Sequence, residues 1–263
     1  MSDFDYGTAF GRTIGWVTPE ELGILRGARV AIGGLGGVGG AHATTLARLG
    51  IGNFNVSDFD SFSLANLNRQ AGAFMSTLGK PKGEVVAGMV RDINPEAEIR
   101  LFAAGIDAHN VDEFLAGVDV YVDGLDYFAV AARRLVFSRC EALRIPAVTA
   151  APLGMGAAML CFLPGRMGFE DYFRLEGVPE QEQLIRFLLG LSPSMMQRRY
   201  LVHPSAVDLI AKRGPSTPMA CELCAGMAAT QVLKLLLGRG RVLAAPWGLH
   251  FDAYRNKLVR TWR

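Results

Sequence analysis

The sequence predicts an α/β protein: a mostly parallel sheet with helices on both faces, extended by antiparallel strands in the C-terminal half. Three observations predict it. Short apolar runs alternate with longer segments of helical period through the first 150 or so residues. Glycines, 31 in all, cluster where the runs end. The alternation stops after Gly154. Strands that alternate with helices pair in parallel and are covered on both faces, so they read as continuous apolar runs.

The elements follow in order. ARVAIGG (28–34) is a strand that ends in glycines. GVGGAHATTLARLG (37–50) carries small and apolar residues at helical spacing and stops at Gly50. NFNVSDFD (53–60) is the second strand. PKGEVVAGMVRDIN (81–94) opens with Pro at a helix start and is amphipathic. EIRLFAAGI is a third strand and VDEFLAG a short helix. DVYVDGLD (119–126) is the fourth strand, FAVAARRLVFSRCEALR a helix and IPAVTAAP the fifth strand. MGAAMLCFLPG then reads as an antiparallel strand. Residues 165–218 are polar and uneven, with a charged helix around 180–189. A buried helix over 218–238 and a strand pair within 247–263 close the chain. Ahead of the first strand, Thr18 marks a helix start.

Composition narrows the function. Half of the 263 residues are hydrophobic and a fifth are charged, which excludes a disordered chain. Lys and Arg total 27 against 25 Asp and Glu. That balance gives no bulk reason to bind nucleic acid or an anionic membrane. Four cysteines do not make a disulfide scaffold. The start, MSDFDYGTAFGRT, has early acids and no apolar core, so it does not read as a signal peptide. Glu222, Gln231 and Lys234 interrupt the apolar 218–238 segment, which reads as a core helix and not a membrane span. A cytoplasmic location with reduced thiols is expected.

The first strand runs into GGLGGVGG, and Gly34-x-Gly36-x-x-Gly39 fits a nucleotide-binding turn, with Gly37 inside it. Glycine lets the backbone approach a phosphate, and the following helix start offers free N–H groups. Asp58, at the end of the second strand, is placed to hold a ribose hydroxyl. These residues make the sheet Rossmann-like. Alone they fit a pyridine-nucleotide or flavin oxidoreductase equally well.

The residues that follow separate the two readings. DFDSFSLANLNRQ (58–70) and LGKPKGE (78–84) add Asp60, Asn66, Arg69 and Lys82. A nucleoside triphosphate needs positive charge on its outer phosphates; Arg offers a planar fork and Lys a point charge. Asp126 closes the VDGLD run at a strand end. A carboxylate there repels phosphates unless it holds Mg²⁺; its plainer role is to cap the helix that follows.

RVAIGGLGGVGG, SDFDSFSLANLNRQ, GKPKGEVVAGMVRDINP and VDGLD together resemble the ThiF/MoeB/HesA superfamily, which includes the adenylation domains of ubiquitin-activating enzymes. The likeness runs from about residue 12 to 152 and resumes near Met219. It implies one adenylation domain over 1–263: an N-terminal arm and helix (1–27), a nucleotide-binding half (28–152), and a crossover segment, long helix and terminal strands (153–263). It implies ATP and Mg²⁺, and activation of a carboxylate as an acyl adenylate with release of pyrophosphate. The implied substrate is the C-terminus of a small ubiquitin-like or sulfur-carrier protein or peptide. The implied roles are nucleotide contact for Gly34, Gly36, Gly37 and Gly39, ribose for Asp58, and the nucleotide site for Asp60. Asn66, Arg69 and Lys82 fall on the triphosphate, and Asp126 on the Mg²⁺ ion. The resemblance also implies a homodimer in which Arg12 crosses to the partner's phosphates.

The chain departs from that pattern in places. Many members hold zinc with two C-x-x-C pairs, and here there is one, Cys221-Glu-Leu-Cys224, so no structural zinc is expected. Tyr127 follows Asp126 where the family usually has Asn. Residues 165–218 contain no Cys where ubiquitin-activating enzymes carry a nucleophile. Cys221 and Cys224 at a helix start are either packed apolar residues or, with a thiol pKa lowered by the dipole, an acceptor. His42, His109, His203 and His250 have no metal spacing; His42 reads as packing. A non-catalytic dimer partner of the same fold is the remaining alternative.

Overall fold

The computed structural model describes residues 4–208 and 211–263. A single eight-stranded sheet runs through it in the order β3-β2-β1-β4-β5-β6-β7-β8. The strands are β1 (Arg29–Gly33), β2 (Asn53–Ser57), β3 (Glu98–Phe102), β4 (Val120–Asp123), β5 (Ala147–Leu153), β6 (Gly156–Phe162), β7 (Trp247–Asp252) and β8 (Lys257–Trp262). The first five pair in parallel, and β6, β7 and β8 are antiparallel. The helices are α1 (Tyr6–Phe10), α2 (Pro19–Gly27), α3 (Gly37–Arg48), α4 (Lys82–Ile93), α5 (Val111–Phe114), α6 (Val130–Ala142), α7 (Phe169–Phe173), α8 (Glu180–Leu191) and α9 (Pro218–Leu237).

Local chemistry explains several boundaries. Thr18 caps α2 in a reciprocal box with Glu21, and Pro19 fills the first turn, where no N–H partner is needed. α9 stops at Gly238, which takes the left-handed conformation. α3 starts at Gly36 with no side-chain cap, so its free N–H groups face the glycine turn.

Each β1 residue chooses a face. Val30 and Ile32 pack with Leu25 of α2, Leu46 of α3, Val86 of α4 and Cys224 of α9. Ala31 turns the other way, with Tyr121 and Ala147, toward Phe114 of α5, Phe137 of α6, Phe169 of α7 and Phe187 of α8. Both faces are therefore covered, as the apolar strands require. α9 is the one helix among the described residues apolar and long enough to cross a membrane. It lies in the core against α3, β5 and β6.

Several boundaries move, among them the end of β3, which stops at Phe102 and not at Ile106. β2 ends at Ser57, so Asp58, Phe59 and Asp60 lie in the loop beyond it. β4 ends at Asp123, three residues before Asp126. α6 begins at Val130 with Ala129 as its N-cap, so Asp126 does not cap that helix. Its Oδ1 instead accepts the Phe128 N–H at 2.9 Å and closes a turn one step earlier. Asp58 accepts the Asp60 N–H and Asp123 the Leu125 N–H, and these local turns end β2 and β4 sooner than apolar content suggests.

The order reverses at β1, whose neighbours are β2 on one side and β4 on the other. In open parallel sheets the crevice at such a reversal, beyond the strand carboxyl ends, is where ligands bind.

Candidate nucleotide site

Three glycines build the floor of that crevice by interlocking. Gly34 has φ +80°, and a Cβ there would lie 2.5 Å from the Gly124 carbonyl oxygen. A Cβ on Gly39 would lie 1.8 Å from the Gly34 oxygen, and one on Gly124 2.4 Å from the same atom. No side chain fits at any of the three. Gly34 N–H donates to the Ser57 carbonyl and Gly124 N–H to the Gly33 carbonyl, each at 2.8 Å. Gly124 is a site residue that the sequence reading passed over, although a glycine directly after a strand was a visible signal.

The other turn glycines face outward. A Cβ on Gly36 would meet only the Gln70 amide, at 3.6 Å. A Cβ on Gly37 would sit 3.3 Å from Cys221 Sγ and 3.9 Å from Arg69 Nε. Arg69 therefore leans against the turn, while its Nη1 donates to the Ala65 carbonyl and to Asn68 Oδ1. Gln70 is buried, and its Oε1 has no partner.

Asp58 ties the turn to the second strand. Its Oδ2 accepts the Leu35 N–H at 2.7 Å and its Oδ1 the Asp60 N–H at 2.8 Å. Each carboxylate oxygen keeps a second lone-pair site. Asn66 is buried and works within its own loop, its Oδ1 accepting from Ser63 N and Ser63 Oγ.

Lys82 opens α4, and its Nζ lies 2.9 Å from Asp60 Oδ2. The two are unequally placed: the Lys82 side chain is 8% exposed and that of Asp60 55%. Asp60 is thus the ion partner of Lys82. Arg12 is exposed, in a 3₁₀ turn after α1, with Ile14 and Trp16 exposed beside it.

Asp126 is exposed on the loop beyond β4. That loop is held from below by a buried cluster. Arg133 Nε donates to Asp123 Oδ2 at 2.7 Å, and its Nη2 to the Leu125 carbonyl at 2.6 Å and the Asp126 carbonyl at 3.1 Å. Thr149 Oγ1 donates to the same Asp123 oxygen at 2.8 Å. Tyr127 OH donates to the Leu184 carbonyl of α8 at 2.6 Å. Burial pushes the Tyr127 phenol up to about 12, so it remains a donor. Asp123, Arg133 and Thr149 escaped the sequence reading because they lie on three different elements.

The cysteines are plain. All four are buried and free. Burial raises the thiol pKa of both Cys221 and Cys224, against the lowering that a helix start would give. At Cys221 burial outweighs the lowering by Ser216 and Arg69, and at Cys224 nothing opposes it, so the acceptor alternative finds no support. Among the described residues no three His, Cys, Asp or Glu side chains cluster as a metal site.

Similarity to known proteins covers the chain unevenly. The model of the ThiF family matches residues 11–263. The tRNA threonylcarbamoyladenosine dehydratase of Haemophilus influenzae is 34% identical over 146 residues, 55% of this chain and 55% of that protein. The molybdopterin-synthase adenylyltransferase of Escherichia coli is 36% identical over 138 residues, 52% of this chain and 55% of that protein. The chain therefore spans about half the length of the curated relatives it matches. A crystal structure of Escherichia coli MccB with MccA has the same fold, with a TM-score of 0.74 at 19% identity. It covers 100% of this chain and 73% of that one.

Proposed function

The chain belongs to the ThiF family, and from that premise we propose that it is an ATP-dependent adenylyltransferase acting on a carboxylate, the C-terminus of a small ubiquitin-like or sulfur-carrier protein or peptide. The observation that carries this reading is the set at the β1–β4 reversal. It comprises three interlocked glycines, Arg69 against the same turn, and Lys82 paired with Asp60, whose N–H is bound by the Asp58 that also holds Leu35 of the turn. An NAD-dependent dehydrogenase has no need of positive charge there, whereas the outer phosphates of a triphosphate do. A related protein named as an adenylyltransferase of another enzyme supports a protein substrate.

The residues divide the work. The turn from Gly34 to Gly39 and the start of α3 receive phosphate oxygens through N–H groups and the helix dipole. Asp58 accepts a ribose hydroxyl on its remaining lone pairs. Arg69 and Lys82 oppose triphosphate charge, and Lys82 trades Asp60 for phosphate. The substrate carboxylate oxygen attacks the α-phosphorus as its bond to pyrophosphate breaks. Positioning and charge neutralisation supply the acceleration. Asp126 suits Mg²⁺, which keeps several waters and takes one or two carboxylates besides phosphate; bound there, the ion would neutralise the leaving pyrophosphate. The chain acts as a cytoplasmic homodimer in which the exposed Arg12, beside Ile14 and Trp16, enters the partner's site.

The test is direct. ATP raises the melting temperature and NAD(P)H does not, since only a ligand of the native state stabilises it. ATP–pyrophosphate exchange is then measured with small proteins ending in Gly-Gly and with tRNA bearing threonylcarbamoyladenosine. Exchange with the proteins is expected. Stabilisation by NAD(P)H alone, or exchange with the tRNA alone, overturns the reading.

A further inference from the structure

A second polar constellation lies outside the nucleotide site. Ser192 follows α8, Ser194 lies two residues on, and His250 and Asp252 are on β7. Ser192 Oγ is 3.2 Å and Ser194 Oγ 3.3 Å from the same ring atom, His250 Nδ1. Ser192 also donates to Gln197 Oε1 at 3.1 Å. One serine proton thus has its own acceptor, and the other is free to point at the imidazole.

Exposure separates the two serines. Ser192, His250 and Asp252 are fully buried, whereas Ser194 is exposed. Of the two serines, Ser194 is the one that joins the buried ring to solvent. With Nδ1 as acceptor, the ring proton sits on Nε2, which is buried with no partner. Asp252 Oδ2, two residues along on the same strand face, is also buried and unpartnered. The Asp252 charge acts on the ring against the burial that keeps it neutral. Asp252 Oδ1 accepts the Arg255 N–H, and Tyr200 faces the same carboxylate. This is a nucleophile in reach of a base, with a buried carboxylate two residues along the strand that acts on the base through its charge and not through a hydrogen bond.

Its place in the fold suits an acyl group. β6 pairs Gly156 with Asp252 and Ala158 with His250, beside the turn that leaves the carboxyl end of β5. Gly154 in that turn abuts Tyr200 and Gln197, and its carbonyl accepts Thr217 Oγ1 at 2.7 Å. Thr217 stands directly before α9, whose Cys221 touches the Gly37 turn. The cluster and the nucleotide turn thus flank one end of the sheet.

We propose that Ser194 is an acyl-accepting nucleophile with His250 as its general base and Asp252 as the residue that positions and charges that base. Where it meets an acyl adenylate, the proposal rests on the function given above. Ser194 Oγ bonds to the carbonyl carbon, its proton passes to His250 Nδ1, and the acyl–phosphate bond breaks to release AMP. The product is an oxygen ester on Ser194. The imidazolium, opposed by Asp252, returns its proton to solvent.

The test uses the intact chain and p-nitrophenyl acetate, which carries an activated acyl group and needs no nucleotide. Attack releases p-nitrophenolate and leaves acetyl on the serine, located by mass spectrometry. The wild type acetylates Ser194; Ser194→Ala does not, Ser192→Ala does, and His250→Gln is slower by at least about tenfold. Ser194→Cys restores acylation as a hydroxylamine-labile thioester, which guards against a folding defect in Ser194→Ala. Asp252→Asn moves the pH midpoint of acylation downward, a shift that packing alone would not produce. Acetyl on Ser192 or only on lysine, or a rate independent of His250, overturns the proposal. Thermal stabilisation by ATP, read on the same proteins, reports on the nucleotide site separately.

Discussion

The Lys82 ammonium lies 2.9 Å from Asp60, and burial divides the pair: the lysine is enclosed and the carboxylate open to solvent. A buried cation is costly without a partner, so Asp60 holds the charge in place; in the proposed function phosphate would replace it. Lys82→Ala therefore loses at least about tenfold in pyrophosphate exchange, as for removal of a charge partner in the transition state. The melting temperature without ATP changes little by comparison. Exchange at the wild-type rate in the folded variant removes Lys82 from the site. Lys80 is exposed nearby, so the double variant is measured too.

The glycines divide into two classes that one substitution tells apart. Gly39→Ala drives a methyl to within 1.8 Å of a carbonyl oxygen and destabilises by several kcal/mol, roughly 4 or more. Gly36→Ala meets only a side-chain amide at 3.6 Å, so it stays folded but loses stabilisation by ATP. Thermal melts with and without ATP read both. Equal loss of stability in the two variants contradicts the distinction.

His42 gives the protein an acid limit. It is buried on α3, neither ring nitrogen has a partner, and burial lowers its pKa to about 4. The folded state thus binds the proton less tightly than the unfolded chain does. Its contribution is complete above pH 6.5 and is lost as pH falls toward 4, at about 1.4 kcal/mol per unit. The full loss is about 3 kcal/mol. His250 is lowered in the same direction. Urea unfolding at pH 7 and pH 5 shows the drop, and His42→Leu reduces it. An unchanged slope in His42→Leu places the acid sensitivity elsewhere.

Arg12 is tested by mixing. Arg12→Ala and Arg69→Ala homodimers are each nearly inactive. Exchange of subunits forms heterodimers with one intact and one doubly damaged site, and activity partly returns. Failure to recover after confirmed exchange, or a monomer at working concentration, rejects a trans-acting arginine.

Much of this molecule is written locally. Apolar runs and helical spacing set the strands and helices from Arg29 to Ala142 within a few residues, and Thr18 with Glu21 marks the start of α2. The glycine turn, Asp58, Arg69 and Lys82 were singled out from sequence as candidates because a strand end followed by a helix start places neighbours in sequence close together, and the fold links Asp58 to the turn and, through Asp60, to Lys82. The rest depends on packing. Asp123, Arg133 and Thr149 meet from three elements, and Gly124 touches Gly34 only because β4 lies beside β1. Burial raised the thiol pKa of Cys221 although its place in the helix argued the opposite. Ser194 and His250 are 56 residues apart and meet only because α8 ends beneath β7. Sequence fixes what the backbone does over a few residues, where propensity and periodicity act. Desolvation, close approach and long-range hydrogen bonds belong to residues that only the folded chain makes neighbours.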